Sequence, residues 1–164
     1  MNEGTIELAS PQDADAIWAL YRSLLREPYG TWDEDYPSRE IVEEDLANND
    51  VLVLRLPEGG IGAAIVVEKS EEFKADVPWY PDVTRWCALG RLGVAHGLQG
   101  RGIARRMLTE AMARAKADGY EAVRFLVGAH NVPALRSYAT LGFEVCGQTR
   151  MWDEDWLCYE KRLC

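Results

Sequence analysis

QGRGIA, residues 99–104, places two glycines and an arginine between the apolar run ALGRLGV (88–94) and RRMLTEAMARAKA (105–117). The run has strand character. In the stretch from Gly102 to about Asp118, Ile103, Met107, Ala111 and Ala115 fall every four residues with arginines between them, and Gly119 ends the pattern, which predicts an amphipathic helix. The turn therefore joins a strand to a helix. A helix start leaves four amide N–H donors without partners and carries roughly half a positive charge, which makes it a ready seat for a phosphate. Gly100 and Gly102 let the backbone approach an anion, and Arg101 adds a full charge, although the same glycines would also serve a tight connection and nothing more. Two common phosphate loops are excluded by spacing. The Gly-Lys-Ser/Thr ending of a Walker loop is absent, and Arg105 stands where a dinucleotide fingerprint needs its third glycine.

Working outward, TIELA (5–9) alternates as a first strand, and Ser10, Pro11 and Asp13 carry the signals of a helix start. Ile17, Leu20, Tyr21, Leu24 and Leu25 give that helix its buried face. EPYGTWDEDYP (27–37) breaks it, and Ser38 caps a second helix through Leu46. VLVLRL (51–56), PEGG and IGAAIVVE (61–68) read as a β-hairpin, KSEEFKADVPWYPD (69–82) as a loop, and TRWCALGRLGVA (84–95) as a strand. After the helix come the strand EAVRFLVG (121–128), a short helix in NVPALRSYATLGF with Asn131 as N-cap and Gly142 just past its end, and two strands near 143–147 and 156–162. The order is β-α-α-β-β-β-α-β-α-β-β.

The length of 164 residues suits one domain, and no stretch approaches the ~20 apolar residues of a membrane span. The first residues carry no basic segment followed by an apolar one, so a cytoplasmic location is expected and no membrane association. Four scattered cysteines and two histidines offer no zinc-ligand spacing, so no metal is expected. Cys87 on a strand without a partnered histidine reads as core packing rather than as a nucleophile. The net charge of −9 argues against nucleic acid as a partner and suits a cationic substrate.

Two blocks carry a resemblance. Gln99, Gly102 and Ala104 fill a Gln/Arg-x-x-Gly-x-Gly/Ala signature, and Asn131, Ala134, Tyr138 and the LGF at 141–143 form a second block downstream, in the order strand-helix-strand-helix. Together they resemble the GNAT superfamily of acyl-CoA-dependent N-acyltransferases. The resemblance is close from Cys87 to Phe143 and rests on element order alone before that. It implies an α/β (α+β) fold with a mixed sheet of about seven strands and about four helices, splayed between the fourth and fifth strands. Acetyl-CoA would lie in the opening. Its diphosphate would be held by amides of Gln99, Gly100, Arg101, Gly102, Ile103 and Ala104, with a charged contact from Arg101 or Arg105. Leu92, Val94, Asn131 and Tyr138 would complete the cofactor contacts. Homodimers are common among similar proteins.

The resemblance also implies an acetyl transfer to a primary amine within a ternary complex. A backbone N–H on the fourth strand, at Val94, would polarise the thioester carbonyl, and Tyr138 would protonate the departing thiolate. Some relatives carry a Glu on that strand as the base, but residues 84–93 contain no carboxylate here. Asp33, Glu34, Asp35 or a water chain could serve instead. The loop TWDEDYP (31–37) puts Trp32 and Tyr36 around those carboxylates and would wall the acceptor cleft, with Asp33 pairing a cationic amine; WYPD (79–82) and RMWDEDW (150–156) are the fallback segments. A catalytically silent acyl-CoA-binding module, or an enzyme acting on a protein N-terminus or lysine, are the alternative readings.

Overall fold

The computed structural model describes residues 4–25, 32–48, 50–69 and 77–163; the expected break at 27–31, most of the expected loop at 70–76, and Cys164 lie outside them. The chain runs β1 (Thr5–Leu8), a 3-10 turn (Pro11–Asp13), α1 (Ala14–Ser23), α2 (Arg39–Ala47), β2 (Val51–Arg55), β3 (Ile61–Glu68) and β4 (Trp86–Val94). A second 3-10 turn (His96–Leu98), α3 (Ile103–Ala117), β5 (Ala122–Gly128), α4 (Val132–Thr140), β6 (Glu144–Met151) and β7 (Glu154–Arg162) complete it. The seven strands form one sheet in the order β1-β2-β3-β4-β5-β7-β6.

Local chemistry accounts for the helix starts. The Asp13 carboxylate accepts from the Ser10 N–H at 2.8 Å, and Ser38 Oγ accepts from the Ile41 N–H at 3.2 Å. Alternation along the strands then divides the core. Ile65, Val67, Cys87, Val123 and Phe125 point to the face covered by Met107, Leu108 and Ala111 of α3 and by Leu135 and Tyr138 of α4. Val53, Ala64 and Val66 point to the other face, against Ile17, Leu20 and Tyr21 of α1 and Val42 and Leu46 of α2. Cys87 lies in the first cluster, where burial pushes its thiol up to about 12, so it holds its proton and packs.

Three departures from regular pairing shape the site. The first is the junction of β4 and β5, the sheet's parallel pair. Their register holds for Trp86–Ala122, Cys87–Val123 and Ala88–Arg124 and then stops, so the strands part beyond Ala88. At that fork the Arg124 guanidinium lies between the rings of Trp86 (4.6 Å) and Trp79 (4.9 Å) and binds the fully buried Glu160 at 2.7 Å. The second is a bulge in β4. Gly90 faces Val66 and Gly93 faces Ala64, so three steps of β4 meet two of β3, and Arg91 sits there at φ 45°. The third corrects an expected boundary. β6 and β7 continue to Met151 and Glu154, well into residues 148–155 that strand patterning leaves as a connection. Trp152 and Asp153 both take positive φ, 53° and 62°, closing the strands by a two-residue turn without the Asn-Gly pair that normally signals one.

Candidate active site

The glycine turn ends in an open cradle. Gly100 and Gly102 have φ of 79° and 78°, and a Cβ built on either would meet no atom of the chain within 4 Å. The first intrahelical bond of α3 runs from the Arg106 N–H to the Gly102 carbonyl at 3.1 Å, so the amides of Ile103, Ala104 and Arg105 precede the helix's own bonding pattern. No acidic residue stands in the first turn of α3. Gln99 Nε2 donates to the Val94 carbonyl at 3.0 Å and ties the turn to the end of β4. Arg105 reaches the Thr140 hydroxyl at 2.9 Å, which joins the starts of the cradle to α4. These residues fit a diphosphate: amides ahead of the helix's own bonds, no acid in the helix's first turn, and open space at both glycines among the described residues.

At the strand end, the Ala95 N–H donates to the Gly62 carbonyl of the preceding hairpin strand at 2.9 Å, and Val94 faces Ala63 across the pair. Amides alternate in direction along a strand, so the Val94 N–H points away from β3 and into the opening toward β5. Leu92 and Val94 direct their side chains to the α3 face. Asn131 caps α4, its Oδ1 accepting from the Ala134 N–H at 3.3 Å. Tyr138 lies in an aromatic group, with ring centroids 5.0 Å from Phe125, 6.1 Å from Phe143 and 6.2 Å from Tyr159. Burial pushes its hydroxyl up to about 12, so it is fully protonated near neutrality.

A cavity of about 550 Å³ opens on the opposite face of the sheet, where β4 and β5 part. Trp32, Asp33 and Tyr36 wall it from the loop before α2, and Trp152, Glu154 and Trp156 from the β6–β7 turn; Leu89, Gly90, Arg91 and Leu126 form its floor, with Glu68 beside them. The two aromatic walls come from residues more than a hundred positions apart. Asp33 Oδ1 accepts from the amides of Asp35 (2.8 Å) and Tyr36 (2.9 Å), so this carboxylate also shapes its own loop. Trp32 packs edge-on against Tyr21 at 4.9 Å, and a Cβ at Gly93 would stand 3.3 Å from the Trp32 ring and 2.8 Å from Leu24. Glu34 turns away and pairs with Arg22 at 3.0 Å.

Arg91 organises the floor. Its guanidinium binds both oxygens of Asp45 at 2.7 and 2.8 Å, Glu68 Oε1 at 3.3 Å and the Tyr36 hydroxyl at 3.1 Å, while its carbonyl accepts from the Tyr21 hydroxyl at 3.1 Å. Arg91 thereby joins α1 through its carbonyl, and α2, β3 and the loop before α2 through its guanidinium. Arg91 and Asp45 are nearly enclosed, with side chains 10% and 9% exposed. A charged pair so placed holds one geometry, because losing either partner leaves the other buried and uncompensated.

Residues 17–143 match the family described as Acetyltransferase (GNAT) family. The chain belongs to that family. A mycothiol acetyltransferase from Corynebacterium aurimucosum is 29% identical over 126 residues, covering 75% of this chain; the chain spans 40% of that relative's length. The ribosomal-protein-alanine N-acetyltransferase structure from Brucella melitensis superposes with a TM-score of 0.77 at 22% identity, covering 96% of this chain and 99% of that one. An N-acetyltransferase from Staphylococcus aureus Mu50 gives 0.73 at 22% identity, with 98% of each chain covered. The splayed mixed sheet is the GNAT fold.

Leu92, Val94 and Tyr138 pack on the face covered by α3 and α4, Asn131 caps α4, and Trp32, Asp33 and Tyr36 line the cavity. Sequence patterning overlooks Glu68, Arg91 and Asp45. Arg91 interrupts an apolar strand between Gly90 and Gly93, and that interruption is the one local signal of the bulge.

Proposed function

We propose that this acetyltransferase moves an acetyl group from acetyl-CoA directly to the primary amine of a small cationic molecule, with both substrates bound together. The observation that carries the reading is the aromatic, carboxylate-lined cavity of about 550 Å³ where β4 and β5 part. Its volume lies within the range of small-molecule sites. Amides from Gln99 to Arg105, with Arg101, hold the diphosphate; Leu92 and Asn131 line the rest of the donor's path. Acetyl-CoA supplies the thioester carbonyl. The Val94 N–H stabilises the negative charge that develops on that carbonyl oxygen, an interaction worth about 3 to 4 kcal/mol. Tyr138 keeps its proton until the thiolate departs. Trp32 and Tyr36 offer faces to the cation, and Asp33 offers a charge.

The walls of the cavity favour a small amine over a protein terminus. Thiol release from acetyl-CoA, followed with tyramine, tryptamine, putrescine and spermidine, and with peptides bearing a free N-terminus or lysine, tests this. Turnover with the amines supports it. Tight acetyl-CoA binding with no turnover of any acceptor would instead identify a silent binding module, and turnover confined to peptides a protein acetyltransferase.

A further inference from the structure

Three carboxylates line the cavity, and they differ in surroundings. Asp33 and Glu154 are exposed, whereas the Glu68 side chain is only 14% exposed. Glu68 ends β3 opposite Ala88, the last β4 residue paired to β5, so its carboxylate stands beside the fork itself. Its two oxygens have different settings. Oε1 faces the Arg91 guanidinium at 3.3 Å, and Oε2 lies 3.9 Å from the point where Gly90 would carry a Cβ. Among the described residues, Gly90 thus leaves room on the cavity floor beside Oε2. Arg91 bonds Asp45 at shorter distances than Glu68, so Asp45 holds the guanidinium and the guanidinium orients Glu68.

We propose that Glu68 receives the ammonium group of the acceptor and takes its proton, with Gly90 keeping the approach open and the Arg91–Asp45 pair positioning the carboxylate. Arg91 is shared by Asp45 and Glu68, so these three groups keep one net negative charge, and less water screens it than screens the exposed Asp33 or Glu154. The protons balance. The ammonium loses one proton to Glu68 and becomes the neutral nucleophile, and Glu68 later passes that proton to solvent. As the N–C bond forms and the C–S bond breaks, nitrogen gives a second proton to solvent, Tyr138 gives its proton to the thiolate, and the Tyr138 phenolate recovers one from solvent. This inference rests on the amine-acceptor reading above.

The test measures kcat/KM of Glu68→Gln against pH, with whichever of tyramine, tryptamine, putrescine and spermidine the wild type acetylates fastest. The expected result is a fall of about 10²-fold or more, loss of the wild-type decline on the acid side, and an unchanged Kd for acetyl-CoA. Gly90→Ala places a methyl at ordinary contact distance from Oε2, so it folds, and KM for the amine should rise about tenfold while the acetyl-CoA Kd stays the same. Asp45→Asn loosens Arg91 toward Glu68 and should move the acid limb rather than abolish it. A Gln variant with wild-type kcat/KM and its acid limb intact overturns the proposal while leaving the amine-acceptor reading in place. Should the Gln variant not fold, an unchanged KM in Gly90→Ala overturns it. A wild-type protein that binds acetyl-CoA and acetylates none of the four amines overturns both.

Discussion

Gly102→Asp separates what the glycine does for the fold from what it does for binding. At φ 78° a side chain costs about 1 kcal/mol or slightly more, since L residues reach this region only with strain. No further steric term applies, because a Cβ there meets nothing of the chain within 4 Å. For a domain of this length that corresponds to a Tm loss of roughly 2–4 °C per kcal/mol. The charge acts on the ligand instead. A carboxylate about 4 Å from one phosphate charge would oppose it by roughly 4 kcal/mol at an effective dielectric of 20, and solvent at this exposed turn screens most of that. A residual of about 1.4 kcal/mol is a tenfold loss of affinity. Titration calorimetry with acetyl-CoA should therefore give a Kd at least tenfold weaker for the Asp variant, with Gly102→Ala falling between it and the wild type. A folded Asp variant with wild-type affinity would refute the placement of the diphosphate at this turn.

Tyr138→Phe keeps the ring contacts and removes the hydroxyl, so kcat should fall about 10²-fold or more in steady-state assays with little change in the acetyl-CoA Kd. Because its hydroxyl is pushed up to about 12, Tyr138 should impose no alkaline decline on the wild-type rate below about pH 11; a Tyr138-dependent decline near pH 8 would contradict the assignment. Asp33→Asn preserves the Oδ1 that accepts the loop amides, so the loop should keep its shape while KM for the amine rises; wild-type kinetics would make Asp33 a loop-shaping residue only. Asp50 is buried with Lys69 3.7 Å away, and burial raises its carboxyl to about 6. Its folded value lies above its unfolded one, so its contribution is full below about pH 4 and is lost as pH rises through 6. Asp50→Asn should remove that slope in thermal melts across this window, and an identical slope in the variant would count against it.

The elements were legible where local chemistry decides them. Ser38, Asn131 and the glycine at 102 mark helix starts by their own donors, acceptors or conformations, and period-two runs mark the strands. The bulge was not legible, because an arginine at φ 45° is held by Asp45, Tyr21 and Tyr36 from three other elements rather than by its neighbours in sequence. The β6–β7 turn was hidden for a related reason. Trp152 and Asp153 accept positive φ without glycine, so the residues that wall the cavity read as a connection. Asp33 was found from its place in an acidic, aromatic loop, whereas Glu68 could be placed only through the register that sets it beside Gly90 and Arg91.

The sheet also resolves an electrostatic conflict in the composition. A chain of net charge −9 would repel a polyanionic donor if its charge were spread evenly. The first residues around α3 instead carry Arg101, Arg105 and Arg106 and no acid, on top of the helix's own positive end. On the other side of the sheet, Asp33, Glu68 and Glu154 line the cavity, where Arg91 is the one lining cation among the described residues and is held by Asp45. Anion and cation are thus directed to opposite faces. On the proposed reading they meet at the gap beyond Ala88, where β4 and β5 stop pairing. The buried Cys87, protonated and packed under the sheet, offers no relay nucleophile, which is in keeping with the direct transfer proposed above.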